Sequence, residues 1–184
     1  MFVLLASPGY ATQSTYGDQP VLWEFVDQVN HYAAIQRMVI ASLGPPVVSS
    51  DAERVISQQR RFANAMREMR PGACDGGFFT PAVSRYFRAR IDQIVRETGL
   101  DVTTAVEPPD EGEIAVAVVP RVAEAVPWSA GPVMWPSMIA ALPELPPELE
   151  YRFLGRHLVL TDVLANLVVD VLHNALPEPD VSSS

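Results

Sequence analysis

A chain of 184 residues suits one domain with a sizeable core, and a hydrophobic content of 48% excludes a disordered chain. The net charge of −9 excludes the dominant basic face that nucleic acid or an anionic membrane requires, so neither is expected as a partner. That charge is unevenly placed: residues 51–100 hold nine arginines against six acids (net +3), and residues 101–150 hold one against nine (net −8).

All 13 basic residues are arginine, which fits a GC-rich coding bias better than any chemistry. Cys74 is the single cysteine, so no intrachain disulfide can form, and its glycine-containing loop (residues 72–77) suits a small turn residue. Most of the 17 prolines follow residue 107, which predicts short elements and many turns there.

Residues 1–19 read as a leader or linker. Met1-Phe2-Val3-Leu4-Leu5-Ala6 is too short to span a bilayer and lacks a positive n-region, so no stable membrane insertion is expected. Gly9 and Ala11 stand where −3 and −1 residues would stand for cleavage after Ala11. Two readings follow: the back half of a signal peptide whose start lies upstream, or an ordinary frayed terminus.

Residues 20–100 predict three helices. Leu22, Phe25, Val26, Val29, Ala33 and Ile40 recur at helical spacing from Pro20 to Leu43, and Gly44-Pro45-Pro46 stops the run. A second helix is expected from a capping box of Ser50 with Glu53, ending at Arg70-Pro71-Gly72. The third is expected to start at Thr80 as N-cap with Pro81 at the first helical position, and to stop at Gly99. Val83, Tyr86, Phe87, Ile91, Ile94 and Val95 share its apolar face. Arg85, Arg88, Asp92 and Arg96 form a solvated stripe with Arg88–Asp92 and Asp92–Arg96 pairs at i,i+4.

Residues 101–148 form a Pro-rich connection with one short strand at Ile114–Val119 and a helical turn near Pro136–Leu142. Trp128 and Trp135 suit a core cover. Residues 149–176 predict an antiparallel meander, in which Tyr151 and Phe153 alternate with Glu150 and Arg152, and Gly155-Arg156 makes a tight connection. Leu158 and Leu160 follow, Asp162–Asn166 supply turn chemistry, and Leu167–Leu172 close the sheet, which Ile114–Val119 could extend. Residues 177–184 read as a loose tail, and residues 20–176 as one domain. The fold class is therefore α+β: a three-helix N-terminal region packed with a small antiparallel C-terminal sheet.

The Leu-Pro-x-Leu-Pro lead-in (Leu142–Pro146), Tyr151-Arg152, Gly155, Leu158-Val159-Leu160, Asp162 and Val168-Val169-Asp170-Val171-Leu172 together form a pattern. It resembles the C-terminal domain of the periplasmic nickel/cobalt-homeostasis family and related exported bacterial domains. The resemblance covers the C-terminal hairpin alone and implies an exported, periplasmic protein. The helical half has no counterpart in it and no His-rich tract is present, so metal handling does not carry over.

For chemistry, the candidates are few. His31, His157 and His173 fall in no metal-ligand spacing, and Asp110, Glu111 and Glu113 lack the full calcium-loop pattern, so no metal or other cofactor is expected. Asp162 and Asp170 lie on neighbouring predicted strands with Arg152 nearby. They read either as a buried Asp–Arg pair fixing the hairpin or as an acid/base pair for hydrolysis. No nucleophile elbow, phosphate loop or dinucleotide fingerprint occurs. The leading expectation is a non-catalytic exported binding or assembly module, with a protein partner or self-association through a surface including Phe25, Trp128 and Trp135. The alternatives are a small hydrolase or metal-dependent enzyme using Asp162 and Asp170, and a cytoplasmic helical interaction module.

Overall fold

The computed structural model describes residues 20–102, 119–126 and 134–178. In chain order its elements are α1 (Pro20–Leu43), α2 (Ala52–Met69), α3 (Pro81–Thr98), α4 (Pro136–Ala141), β1 (Leu149–Leu154), β2 (His157–Asp162) and β3 (Leu167–Leu172). The fold is α+β, with helices in the N-terminal part and a three-stranded antiparallel sheet of order β1-β2-β3 at the C-terminal end. The expected leader, the strand at Ile114–Val119 except for its last residue, the acidic cluster around Asp110, Trp128 and residues 179–184 lie outside the described residues.

Local chemistry sets the helix ends. Thr80 caps α3 by accepting from the amide of Val83, Pro81 stands in its first turn, and Gly99 ends it in the left-handed conformation at φ 62°. For α2 the expected cap is displaced by one residue. Asp51, not Ser50, is the N-cap, its carboxylate accepting from Glu53 N and Arg54 N, while Ser49 Oγ accepts from Asp51 N. Both residue types cap well, but a carboxylate at this position also meets the positive end of the helix dipole. The expected Arg88–Asp92 and Asp92–Arg96 pairs are absent from the described ion pairs, and Arg88 instead donates to the carbonyl of His173, 2.9 Å away.

One apolar cluster runs from Leu22 of α1 to Leu176 beyond β3. At its centre Phe25 meets Phe87 (ring centroids 5.1 Å apart) and Phe79 (6.0 Å), and Phe87 reaches Tyr151 of β1. α1 contacts both α2 and α3, so two of its faces are covered. Its buried set is correspondingly broad: Leu22, Phe25, Val29, Tyr32, Ala33, Ile35, Gln36 and Val39.

The strands carry side chains on two covered faces. Tyr151, Phe153, Leu158 and Leu160 join the helix-side cluster, whereas Leu154, Val159, Val168 and Val171 form a second cluster with Val122 and Val126. Residues 119–126 lie along the outer edge of β3, where Ala123 N donates to Val168 O and Val168 N to Glu124 O, both at 2.9 Å. That covers an edge otherwise open to pairing. Val122 and Val126 of the same segment also pack on the face that carries Val159, which is buried.

Candidate functional site

The candidate carboxylates, Asp162 and Asp170, sit at different depths of the same sheet face. Leu160 stands opposite Asp170, and Asp162 stands opposite Leu167. Between these pairs the register shifts, leaving Val169 as the extra residue of a bulge. The bulge lets Val169 join the helix-side core while Asp170 also points toward the helical layer, where it bonds the α2–α3 loop.

Asp162 ends β2 at 1% exposure. Its Oδ1 accepts from Gln36 Nε2 and from Ala165 N, both at 2.7 Å, and its Oδ2 accepts from the Tyr32 hydroxyl at 2.8 Å. Tyr32 and Gln36 are four residues apart on α1, so one helical face delivers both donors to the same carboxylate. The third bond closes the β2–β3 turn, in which Asn166 takes φ 49°. Burial, followed by the Asp162 carboxylate, holds the Tyr32 phenol far above its ordinary range, and it therefore stays a donor. The Arg70 guanidinium stacks on the Tyr32 ring at 5.0 Å and on Phe78 at 5.1 Å. Removing the hydroxyl in Tyr32→Phe leaves one Asp162 oxygen without its donor. The expected loss is about 1–3 kcal/mol of unfolding free energy, read from urea denaturation curves with an unchanged slope.

Asp170 is fully buried, and among the described residues its carboxylate accepts from backbone amides. Gly76 N and Val171 N reach Oδ1 at 2.8 Å, and Phe78 N and Phe79 N reach Oδ2 at 2.7 Å. Four accepted bonds fill the four lone-pair positions of a carboxylate. The loop between α2 and α3 is thus wrapped around an aspartate from the last strand, with Gly76 at φ 82° supplying the bend.

Arg152 joins neither carboxylate. It stands opposite Val159, on the sheet face away from Asp162 and Asp170, and pairs with Glu150. The buried Asp–Arg pair expected from the sequence is therefore not formed, because strand alternation puts the two partners on opposite faces. The acid/base arrangement also loses its geometry. Each carboxylate is bonded to a different element, and neither lines the best-formed hollow among the described residues.

The best-formed hollow among the described residues has a cavity volume of about 10 Å3 and is lined by Tyr32, Met66, Arg70, Ala123 and Leu167, among others. It has room for about one water. A substrate pocket needs roughly 300 Å3 or more.

The expected interaction residues separate. Phe25 has no exposed surface; it lies in the aromatic core, because α1 turns that face between α3 and the α2–α3 loop. Trp135 is half-buried on Phe153, with ring centroids 5.6 Å apart. The residue that the sequence reading passed over is Trp23, 63% exposed on α1, with Met38 at 54% farther along. Positions 23, 27, 30, 34, 38 and 41 are all exposed and recur at three- and four-residue steps. They form one outward strip bearing Trp23, Ala34, Met38 and Ala41 beside Asp27 and Asn30.

The sheet also assembles a group that the sequence leaves scattered. His157 and His173 flank the Leu158–Leu172 pair, and their rings meet edge-on at 5.1 Å. His173 Nε2 lies 3.1 Å from Asp75 Oδ2. No group of three or more His, Cys, Asp or Glu side chains suited to a metal ion occurs among the described residues, and Cys74 is exposed. No described helix is long and apolar enough to cross a membrane.

Comparison with family models, with curated proteins and with solved structures gives no match.

Proposed function

We propose that this chain is a non-catalytic binding or assembly module of the bacterial cell envelope, working through the outward strip of α1. The observation that carries this reading is the exposure of Trp23 and Met38 on one helical face. A tryptophan is a large, stiff anchor, and such residues are enriched among the few that carry most of an interface's binding energy. Exposed helical strips of this kind dock into partner grooves through anchors at three- and four-residue spacing.

The chemistry of the buried acids supports the same reading. Asp162 and Asp170 spend their oxygens on holding elements together, which leaves the hydrolase alternative without its acid/base pair. The envelope location rests on the hairpin resemblance and on the small residues Gly9 and Ala11 after an apolar stretch.

The experiment places a photo-crosslinking residue at position 23, at 38, or at the exposed α3 position 97, in cells expressing the gene with its upstream in-frame sequence. After irradiation, the periplasmic and cytoplasmic fractions are compared. The expected result is a periplasmic chain that forms an adduct of discrete mass from positions 23 and 38 and none from 97. A chain retained in the cytoplasm would sink the envelope assignment, and silence at both α1 positions would sink the binding assignment.

A further inference from the structure

At the end of the sheet away from the β2–β3 turn, residues 173–178 cross the β1–β2 turn as a strap. Ala175 N and Leu176 N both donate to Arg156 O, at 2.8 and 3.1 Å. The Arg156 guanidinium in turn donates to Leu176 O through Nη2 at 3.0 Å and reaches Glu178 at 3.2 Å. These bonds seat Ala175 and Leu176 in the core at 2% and 1% exposure. One more bond closes the strap: Asn174 N donates to His157 Nδ1 at 3.2 Å, with Asn174 at φ 49°.

That last bond exists in only one protonation state. A backbone N–H can donate to Nδ1 only while Nδ1 keeps its lone pair, so His157 must be neutral with its proton on Nε2. Protonation turns the acceptor into a donor that faces another donor. We propose that residues 173–178 are an acid-released latch, with His157 as its trigger.

The charges around His157 point the same way. From the β1–β2 turn it meets Arg156, and from the end of β3 it meets the His173 ring. Farther out, α3 contributes Arg88, bonded to His173 O, the α2–α3 loop contributes Asp75, and the strap itself contributes Glu178 on Arg156. Asp75 Oδ2 lies 3.1 Å from His173 Nε2, so this carboxylate is engaged by His173 and not by His157. The strain falls on His157. Burial first, and then the charges of His173 and Arg156, hold its imidazole below the ordinary 6.5.

The direction of the pH effect follows from linkage. A released strap gives His157 back its ordinary affinity for a proton, so the released form binds more protons than the closed one. Closure is therefore complete above pH 6.5 and is lost as pH falls through the depressed value of the closed form.

The test is amide hydrogen exchange of residues 173–178 in the intact chain at pH 7.5 and 5.0, corrected for intrinsic rates. Protection of Ala175 and Leu176 is expected to fall by about tenfold per pH unit once His157 titrates, the limit set by one linked proton, while Leu158–Leu160 keep theirs. In His157→Asn, which keeps an acceptor near the Nδ1 position and does not titrate, protection is expected to be the same at both values. Equal protection of the wild-type strap at both pH values would overturn the proposal. So would an equal loss in His157→Asn, since another group would then be responsible. A wild-type NMR titration decides the matter even if the variant fails to fold. The Asn174 amide and the His157 ring are expected to move with one midpoint below 6.5, and separate midpoints would overturn the latch.

Discussion

Asp170→Asn is expected to lower the unfolding free energy by about 3–5 kcal/mol, a large share of the 5–15 kcal/mol that holds a domain of this size. The substitution keeps size and shape but replaces one acceptor oxygen by an NH2 group. Whichever way the amide turns, two backbone donors from among Gly76, Val171, Phe78 and Phe79 face a donor. Each buried N–H left in this way costs about 1–3 kcal/mol, and bonds to a charged acceptor lie at the upper end of that range. The effect reaches beyond the loop. Phe78 and Phe79 are core residues, and Phe79 packs edge-on against Phe87 at 5.3 Å. Urea denaturation followed by tryptophan fluorescence and far-UV circular dichroism measures the loss. A variant within about 0.5 kcal/mol of wild type would show that the carboxylate is not the loop's anchor.

Phe25→Ala is the second large effect, with an expected loss of about 3–5 kcal/mol from lost burial and the cavity left among Phe79, Phe87 and their neighbours. Two residues earlier on the same helix, Trp23→Ser is expected to change stability by no more than about 0.5 kcal/mol, since that side chain is mostly in solvent. The pair of variants separates core from surface on α1. Equal losses would mean that Trp23 is covered and that the outward strip is not available to a partner. With Trp23→Ser stable and Phe25→Ala crippled, Trp23→Ser becomes the clean probe of binding.

The elements were legible because their signals are local. Gly44-Pro45-Pro46, Thr80-Pro81 and Gly99 mark helix ends by backbone chemistry that tertiary contacts do not alter. The Gly155-Arg156 connection and the Asp162–Asn166 turn fixed the meander in the same way. Facing was less legible. Phe25 belongs to an apolar stripe readable at three- and four-residue spacing, yet only the packing of α3 and the α2–α3 loop shows that this side is sealed. Arg152 is close to the aspartates in sequence, yet strand alternation alone puts it on the opposite sheet face. A cue for Asp170 was present: a single acid inside Leu-Val-Val-Asp-Val-Leu, an otherwise apolar strand. What the strand does not disclose is its partner, a loop more than ninety residues earlier. The bulge at Val169, which turns Asp170 toward that loop, has no sequence mark at all.

His157 and His173 show the same limit. Nothing local joins them, and only the antiparallel register of β2 and β3 brings the rings together. For Trp23 the difficulty is the opposite one. An apolar residue off the main stripe is ordinary on a protein surface, and its significance comes from how far it stands out of the fold.

The buried carboxylates of Asp162 and Asp170 tie the sheet to the helical layer. Through-hydrogen-bond NMR couplings test this claim most directly, on protein labelled with 13C and 15N at neutral pH. Couplings from the Phe78 and Phe79 amide nitrogens to the Asp170 carboxyl carbon are the expected result, with both amide protons shifted downfield. Absent couplings, together with an Asp170 carboxyl signal that moves on addition of a divalent cation, would contradict the claim and return this residue to the list of reactive groups.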